Sequence, residues 1–481
     1  MLAEALAGLV FLPLLVACAL LVMPRRTRLP LVLLGILPLP LLMFPVTTAV
    51  LADGLQIIAV AGFERPLGIE WRVDALSLVL KWLNAVIALL VGLYALADYH
   101  PGSGKGRRFW ILWLLLISAL NALFLSSDLF NLFVTLELMT LAAIGLLVID
   151  GKPAALRAGM RYLILALLGS MLYLMGVALI YAAAGTLDLY QAGGLLADDA
   201  LPIVALMLMT VGLLIKSAIF PLHAWLPAAH GNAPGPVSAV LSAVVVKASI
   251  YMIWRLWLWF AGDWSMDWAL TVLGLLGAGA ILYGSILACL QDRLKMMVAY
   301  STVAQLGYLM LLFPLFGVLG FAGASYHLLA HGLAKAAMFI AAANILKGLG
   351  TDRMDRLDGT DRKLPIDTFT FAIAGISILG LPPSGGFVAK WLLLQQAWGQ
   401  AGWGWVAVLL IGGLLAAIYL FRPLSRLCAR PLAAPEQALK SPGKAFSLLG
   451  LLLALLALGM GFAPAPVMDL LLGGPPPGMA P

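Results

Sequence analysis

Seven ionisable side chains lie inside apolar runs of this sequence, where a charge is costly. They are Glu137, Lys216, Lys247, His327, His331, Lys335 and Lys390. A charged side chain at the centre of a bilayer costs at least about 2.5–3.5 kcal/mol on insertion scales. Glu137 is the only carboxylate deep within any of these runs. We call the seven residues the Glu/Lys/His line, because carboxylates, amines and imidazoles all bind and release protons.

The spacing of these residues supports proton chemistry. His327, His331 and Lys335 follow one another at intervals of four residues, which places them on one helical face about 6 Å apart. Histidine titrates near neutral pH, which suits a proton carrier. Two histidines at this spacing can also bind zinc, but no Glu or Cys lies nearby to complete a zinc site. Burial disfavours the charged form of a lysine and a nearby carboxylate favours it. A Lys216 that gains or loses Glu137 as a partner therefore has two affinities for a proton.

A purely structural interpretation remains open for some intramembrane charges. An isolated lysine in a span can snorkel to the membrane interface or form a structural ion pair. Lys81 and Arg255, near the ends of their predicted spans, fit this interpretation. Four central lysines together with a glutamate and two histidines exceed what it explains.

The composition identifies the elements that must position the line. Of the 481 residues, 63% are hydrophobic and 11% charged, whereas a soluble domain carries about 25% charged residues. A run of about 20 apolar residues crosses the hydrocarbon core. About fourteen such runs are present, at 4–23, 29–52, 75–97, 109–127, 129–149, 158–184, 200–222, 237–261, 267–290, 296–314, 319–346, 366–397, 403–421 and 445–463. The sequence predicts an all-α polytopic membrane protein with about 14 transmembrane helices.

The net charge of +7 reflects membrane topology, not nucleic-acid binding. With fourteen spans, most basic residues fall in alternate loops, and the opposite loops are acidic with only Arg65 and Arg72 as bases. Cytoplasmic loops are enriched in Lys and Arg. The pattern predicts a protein integral to the bacterial inner (cytoplasmic) membrane, with both termini on the non-cytoplasmic side. No cofactor or metal motif occurs, so we expect no cofactor, no metal and no catalytic site in this chain.

Two of the predicted helices are interrupted close to a lysine. Lys216 precedes one break and Lys390 follows the other, and the interrupting residues are Pro221 in the first and Pro382, Pro383, Gly385 and Gly386 in the second. A broken helix is tolerated in lipid only where its backbone lines a polar cavity or is buried in protein. The broken helices are the seventh and the twelfth, so they occupy the same place in two five-helix units, helices 4–8 and 9–13. Because five is odd, the second unit is inverted, as in secondary transporters with ion sites at broken helices.

These units divide the chain into four predicted segments. Residues 1–108 hold N-terminal helices 1–3, 109–261 the first repeat, 262–421 the second repeat, and 422–481 the C-terminal loop, the last helix and a Pro-rich tail. Direct sequence similarity between the repeats is too weak to support the division. It rests on the positions of the breaks and the lysines.

Five blocks of the sequence, in order, resemble a known family. They are DLFNLFVTLELMTL, KSAIFPLHAWLPAAHGNAPGPVSAVLSAVVVK, DRLKMMVAYSTVAQLGY, HLLAHGLAKAAMF and LPPSGGFVAKWLLL. Over roughly residues 75–420 the chain resembles the antiporter-like subunits of respiratory complex I, membrane-bound hydrogenase subunits and the large subunits of Mrp-type multisubunit cation/proton antiporters. The resemblance implies a proton-translocating subunit with other membrane subunits as partners.

The resemblance also implies roles within the line. Glu137 and Lys216 would form an ion pair that modulates the proton site. Lys247 would relay protons between half-channels. The path would continue through His327, His331 and Lys335. Lys390 would be the exit residue. Three further polar residues hold water along this path or pack as ordinary helix residues, namely Ser242, Ser301 and Tyr308.

Two kinds of complex fit this resemblance. The DLFNLFV block resembles the D subunit of an Mrp antiporter, which favours a subunit that exchanges protons for Na⁺ or another monovalent cation. The HAWLPAAHGNAPGPVSA block resembles hydrogenase-type and complex I relatives, so a proton-pumping subunit of a redox-driven complex remains the alternative. A stand-alone carrier for an organic solute is disfavoured because the spans hold few central polar residues beyond the line. A structural scaffold would leave the line unexplained.

Overall fold

A computed structural model describes residues 1–63, 68–197, 199–260, 264, 266–430 and 443–474. Arg65, much of the predicted C-terminal loop and the last seven residues of the Pro-rich tail lie outside these residues. The described chain is mostly helical. Its α-helices are α1 (Leu2–Val22), α2 (Arg28–Ile36), α3 (Pro38–Asp53), α4 (Ala75–Ala95), α5 (Gly104–Leu123), α6 (Leu129–Leu147), α7 (Pro153–Ala184), α8 (Leu189–Leu195), α9 (Ala200–Lys216), α10 (Leu226–Asn232), α11 (Gly235–Val240), α12 (Val246–Arg255), α13 (Asp267–Leu290), α14 (Leu294–Met310), α15 (Val318–Leu349), α16 (Thr360–Lys363), α17 (Pro365–Leu379), α18 (Gly385–Gly399), α19 (Trp403–Leu427), α20 (Lys444–Gly459) and α21 (Ala465–Gly473).

Short non-α elements complete the described secondary structure. Single 3₁₀ turns occur at Arg25–Thr27, Val60–Gly62 and Met354–Arg356, and π-helical segments at Leu241–Val245 and Leu256–Phe260. Strands β1 (Gln56–Ala59) and β2 (Glu70–Val73) form an antiparallel pair in which Gln56 lies opposite Val73. This hairpin was not predicted, because each strand is only four residues long.

The helices confirm the predicted class of integral, polytopic membrane protein. Each of the fourteen predicted runs coincides with one or more helices. In the described part of the chain, ten helical segments are long and apolar enough to cross a membrane, and α9, α17 and α20 are shorter apolar helices. α9 and α17 are the first halves of the two interrupted spans, and for this reason each is shorter than a full span.

The helices that carry most of the line lie in the interior. Within Gly235–Phe260, every residue of the most apolar stretch is buried. In the most apolar stretch of Val318–Leu349, 94% of the residues are buried. The corresponding fraction for the peripheral Trp403–Leu427 is 33%. Lys247 and the two histidines are therefore positioned by helices surrounded by other helices.

Both interrupted spans are broken near their lysines. α9 ends at Lys216 and α10 begins at Leu226, while α17 ends at Leu379 and α18 begins at Gly385. A Cβ added to Gly386 would lie 1.7 Å from a carbonyl oxygen of α17, so only glycine permits this approach. The Ser384 hydroxyl accepts a hydrogen bond from the Phe387 amide and caps the start of α18.

Candidate functional site

A buried ion pair joins two helices at the first break. The Lys216 ammonium, on the last residue of α9, lies 2.6 Å from Oε1 of Glu137 on α6. It also donates a hydrogen bond to the Thr140 hydroxyl at 3.2 Å. The hydroxyl of Ser170 on α7 donates to the same Glu137 oxygen. The exposed fraction is 2% for the Lys216 side chain and 19% for that of Glu137, so the lysine is shielded from solvent while the glutamate is partly exposed.

Close helix packing holds the broken end of α9 in place. α7 and α9 approach each other at Gly169 and Gly212, where a Cβ added to Gly212 would lie 2.3 Å from the Gly169 carbonyl oxygen. Beyond the break, the Trp225 indole donates to the Ile215 carbonyl oxygen at 2.9 Å. The same carbonyl oxygen also accepts from the Ala218 amide at 3.2 Å, so the indole adds a second donor at the end of α9. Lys216 is thus fixed next to α6 and α7.

Lys247 lies just after a π-helical distortion. Its ammonium donates to the carbonyl oxygen of Ser242, within the segment Leu241–Val245, at 2.6 Å. π-helical turns inside α-helices occur frequently at functional sites. The Ser242 hydroxyl lies 3.1 Å from the Thr302 hydroxyl on α14, so the distorted segment contacts the next helix. Lys247 itself is completely buried.

One face of α14 contacts several members of the line. Residues three or four positions apart lie on this face and are buried, namely Val298, Ser301, Thr302, Gln305 and Tyr308. The Lys335 ammonium on α15 donates to the Ser301 hydroxyl and, at 3.1 Å, to the Val298 carbonyl oxygen. α14 therefore provides polar atoms along the length of the interior.

The histidines of α15 form a stacked pair. The ring centroids of His327 and His331 are 5.6 Å apart and the rings are nearly parallel. One ring nitrogen of His327 lies 3.3 Å from the Gln305 carbonyl oxygen, and its ring centroid is 5.3 Å from that of Tyr308. Among the described residues, neither ring nitrogen of His331 has a hydrogen-bond partner. The pair extends the line from Lys335 toward Tyr308.

Lys390 lies at the second break. Its ammonium donates to the carbonyl oxygens of Ile378 and Leu379, at the end of α17, at 2.7 and 3.2 Å. A cation at the C-terminal end of a helix interacts favourably with the helix dipole. The ammonium is also 4.7 Å from the Tyr308 ring centroid. Tyr308 thus contacts both Lys390 and the histidine pair.

The structure divides the line into two groups. One is the Glu137–Lys216 pair, and the other extends from Lys247 through α14 and α15 to Lys390. In the part of the chain that the structure describes, no direct hydrogen bond joins Lys216 to Lys247. Every member of both groups can bind a proton, and within the second group the ring centroids of Tyr308 and His331 lie 5.3 and 5.6 Å from that of His327.

Two buried residues that sequence reasoning missed lie near the second group. His230 on α10 is completely buried, and the lysines that interact with it electrostatically are Lys295, Lys335 and Lys247. Lys295, near the start of α14, is 3% exposed and donates to the Ala233 carbonyl oxygen. The sequence feature that could have revealed His230 is its position between the first break and the next predicted span. Lys295 was obscured because it lies at a loop–helix boundary.

The sequence-based interpretation of Lys81 was wrong. Lys81 lies two turns inside α4 and is completely buried. Among the described residues its ammonium has no hydrogen-bond partner, so it does not snorkel to an interface. The surrounding helices cover the part of α4 that sequence alone placed near a membrane surface. Arg255, by contrast, forms a structural ion pair with Asp74, with Nη1 and Oδ2 2.5 Å apart.

Replacing Lys81 with methionine is expected to raise the melting temperature and to leave proton translocation close to its original rate. The reason is that an unpaired buried polar group costs about 1–3 kcal/mol, whereas methionine fills similar space without a charge. Thermal unfolding and proton flux in vesicles would be measured in parallel. Lys247→Met is the matched control, in which flux should fall. Loss of flux in Lys81→Met would place Lys81 in the proton path.

The described residues contain no group of three or more His, Cys, Asp or Glu side chains that could hold a metal ion. Cys18, Cys289 and Cys428 are free and separate. The expectations of no metal, no cofactor and no catalytic site in this chain stay predictions.

Comparison with known proteins places the chain in a family. Residues 126–418, more than half of its length, match a family described as NADH:quinone oxidoreductase/Mrp antiporter, TM. The chain belongs to this family. A similar protein, NADH-quinone oxidoreductase subunit N from Desulforudis audaxviator, is 37% identical to this family member over 390 residues, which cover 80% of this chain and 77% of the relative. The family predicted from the five sequence blocks is confirmed.

Two further similarities concern the fold and the type of complex. The D subunit of a Na⁺/H⁺ antiporter from Bacillus subtilis is 28% identical over 380 residues, which cover 78% of this chain and 76% of the relative. A chain of the membrane-bound sulfane sulfur reductase, an archaeal respiratory membrane complex, matches with a TM-score of 0.89 and 27% identity over 97% of this chain and 96% of that chain. This family member is therefore an antiporter-like membrane subunit, and the predicted all-α fold with two broken helices is confirmed.

Proposed function

We propose that this antiporter-like subunit translocates protons as part of a multisubunit membrane complex. The observation that carries the proposal is the buried row of ionisable groups beside α14. Lys247 binds the Ser242 carbonyl oxygen, and the Ser242 hydroxyl contacts α14 at Thr302. Lys335 binds Ser301 of α14, the His331 ring stacks on that of His327, and Tyr308 contacts both His327 and Lys390. Ionisable groups inside a membrane protein are costly, and those that face the protein interior typically serve ion transfer. Small side-chain movements and internal water would complete the transfers along this chain.

The ion pair at the first break would control access to that chain. While Lys216 contacts Glu137, the positive charge of its ammonium is compensated. If Lys216 turned away toward Lys247, its uncompensated ammonium would favour release of the proton. Ser170 and Thr140 would continue to offer hydroxyl groups at the vacated position. Two positions of one lysine would thus give two proton affinities.

Protons would enter and leave this row of ionisable groups at different ends. His230 and Lys295 lie near a loop that the charge pattern assigns to the cytoplasmic side of a bacterial inner membrane, with both termini on the opposite side. We propose that these two residues connect that side with Lys247 and Lys335. Lys390, at the second break, would then serve as the exit.

The process coupled to proton flow has two candidates. The sequence blocks favour exchange of protons for Na⁺ in an Mrp-type antiporter. The 37% identity to an NADH-quinone oxidoreductase subunit N, against 28% to the D subunit of a Na⁺/H⁺ antiporter, favours the second candidate, a proton-pumping subunit of a redox-driven complex. Other chains would hold the redox centres in that case.

Purification of the tagged chain in mild detergent tests both the proposal and its two forms. Co-purified chains would be identified by mass spectrometry, and iron would be assayed in the same sample. Small hydrophobic partners without iron would support the cation/proton antiporter, and an iron-containing soluble arm would support the redox-driven pump. A chain that purifies without partners and conducts no protons after reconstitution would contradict the proposal.

A further inference from the structure

A cavity of about 750 Å³ lies far from the Glu/Lys/His line, at the end of the molecule where α4 begins. Its wall combines the ends of α3 and α21 with β2, α8 and the segment after α12. The charge pattern assigns this end to the non-cytoplasmic side. Both polar and apolar side chains line the cavity, and none belongs to the proposed proton path.

Arg72 is a cation of this cavity that has no acidic partner among the described residues. The guanidinium carbon lies 3.6 Å from the centroid of the Tyr190 ring, so the group stacks on an aromatic face. In the described part of the chain, its Nε and Nη1 atoms are buried without a hydrogen-bond acceptor, and no carboxylate lies within ion-pair distance. Because arginine stays charged and carries five donors, Arg72 favours an anionic ligand.

Asp74, an acid of the cavity wall, is already neutralised. Its two carboxylate oxygens accept from Nη1 and Nη2 of Arg255 at 2.5 and 2.6 Å. The Arg255 guanidinium also stacks over the Trp259 ring at 4.2 Å. Asp74 is therefore committed to Arg255, and the positive charge of Arg72 remains available to a ligand.

The opposite rim of the cavity has different chemistry. Asp469 on α21 is exposed and forms no ion pair with any described residue. Beside it, Leu51 and Leu55 are 63% and 48% exposed, and Leu470 is partly buried. The cavity thus offers a guanidinium, a carboxylate and an apolar strip at the edge of the membrane-spanning region.

We propose that this cavity binds one zwitterionic phospholipid with a primary ammonium headgroup. The phosphate would pair with Arg72, because arginine and phosphate form strong charge-assisted hydrogen bonds. The ammonium would pair with Asp469, and an acyl chain would lie along Leu51 and Leu55. This ligand is the one that uses both charges and the apolar strip together, whereas a free phosphate would use Arg72 alone.

Native mass spectrometry of the purified, tagged complex tests the proposal. After delipidation, phosphatidylethanolamine or phosphatidylglycerol would be added back in detergent, and one retained molecule of the former is expected per copy of this chain. Arg72→Gln should weaken retention of both lipids about tenfold, through loss of the charge-assisted contact. Asp469→Asn should abolish only the preference for phosphatidylethanolamine. Arg26→Gln, which removes an exposed arginine outside the cavity, is the matched control and should change neither result.

A cavity-filling variant tests occupancy without removing Arg72. A Cβ added at Gly473 meets no atom within 4 Å, so the backbone there accepts a side chain, and we expect Gly473→Trp to fold and to displace the lipid. Unchanged retention in Arg72→Gln and Gly473→Trp would overturn the proposal. Tight binding of soluble phosphoethanolamine would make the headgroup alone the ligand and overturn the lipid assignment. A partner subunit seated in the cavity of the intact complex, with no lipid retained, would overturn it as well.

Discussion

Replacing Glu137 with alanine is expected to lower proton translocation at least about tenfold, for which a barrier increase of about 1.4 kcal/mol is sufficient. The substitution removes the carboxylate 2.6 Å from the Lys216 ammonium and leaves that charge buried. An uncompensated charge of this kind costs about 3–5 kcal/mol, so stability should also fall. Proton flux into reconstituted vesicles, normalised to inserted protein, provides the measurement. Lys216→Ala should lower proton flux to the same degree.

A double substitution separates loss of function from loss of stability. Glu137→Gln with Lys216→Met removes both charges, so the penalty for an unpaired ammonium disappears and the melting temperature should recover. Translocation should remain as low as in the single variants, because no protonatable switch is left. Asp355→Ala is the matched control, since Asp355 forms an exposed ion pair with Arg353, and exposed pairs contribute at most about 1 kcal/mol. Normal flux in the double variant would contradict the proposed role of the pair.

Replacing Lys390 with alanine is expected to reduce translocation nearly as much as the loss of Glu137. Lys390 is the member of the line at the second break, where its ammonium binds the last carbonyl oxygens of α17 and lies beside Tyr308. Its removal would end the chain of protonatable groups at the histidine pair. The same vesicle assay, with assembly of the complex checked by gel filtration, measures the effect.

Two further substitutions at this position distinguish charge from proton transfer. Lys390→Arg retains a cation that can bind the α17 carbonyl oxygens, but a guanidinium does not release its proton in a protein. It should assemble normally and conduct poorly. Lys390→Glu restores a titratable group and should conduct better than the arginine variant. If the arginine variant conducts normally, Lys390 acts as a helix cap and not as a proton carrier.

The sequence by itself determined the membrane class, the approximate spans and the identity of most residues in the proposed site. These features depend on local properties, because the transfer of an apolar run into lipid and the cost of a central charge follow from residue type and position along one helix. The proline and glycine residues near Lys216 and Lys390 also predicted both breaks for local reasons. The family was apparent because several blocks occur in order.

Only the tertiary structure decided which atoms meet. Glu137 and Lys216 are separated by 79 positions and contact one another because α6, α7 and α9 pack together. The role of α14 as a polar wall, the burial of His230 and the depth of Lys81 likewise depend on neighbouring helices that are remote in sequence. Arg72 had appeared only as a loop charge until the fold placed it on Tyr190 at the wall of a cavity. Burial and pairing arise from the packing of distant segments, and hydropathy along one chain does not contain that information.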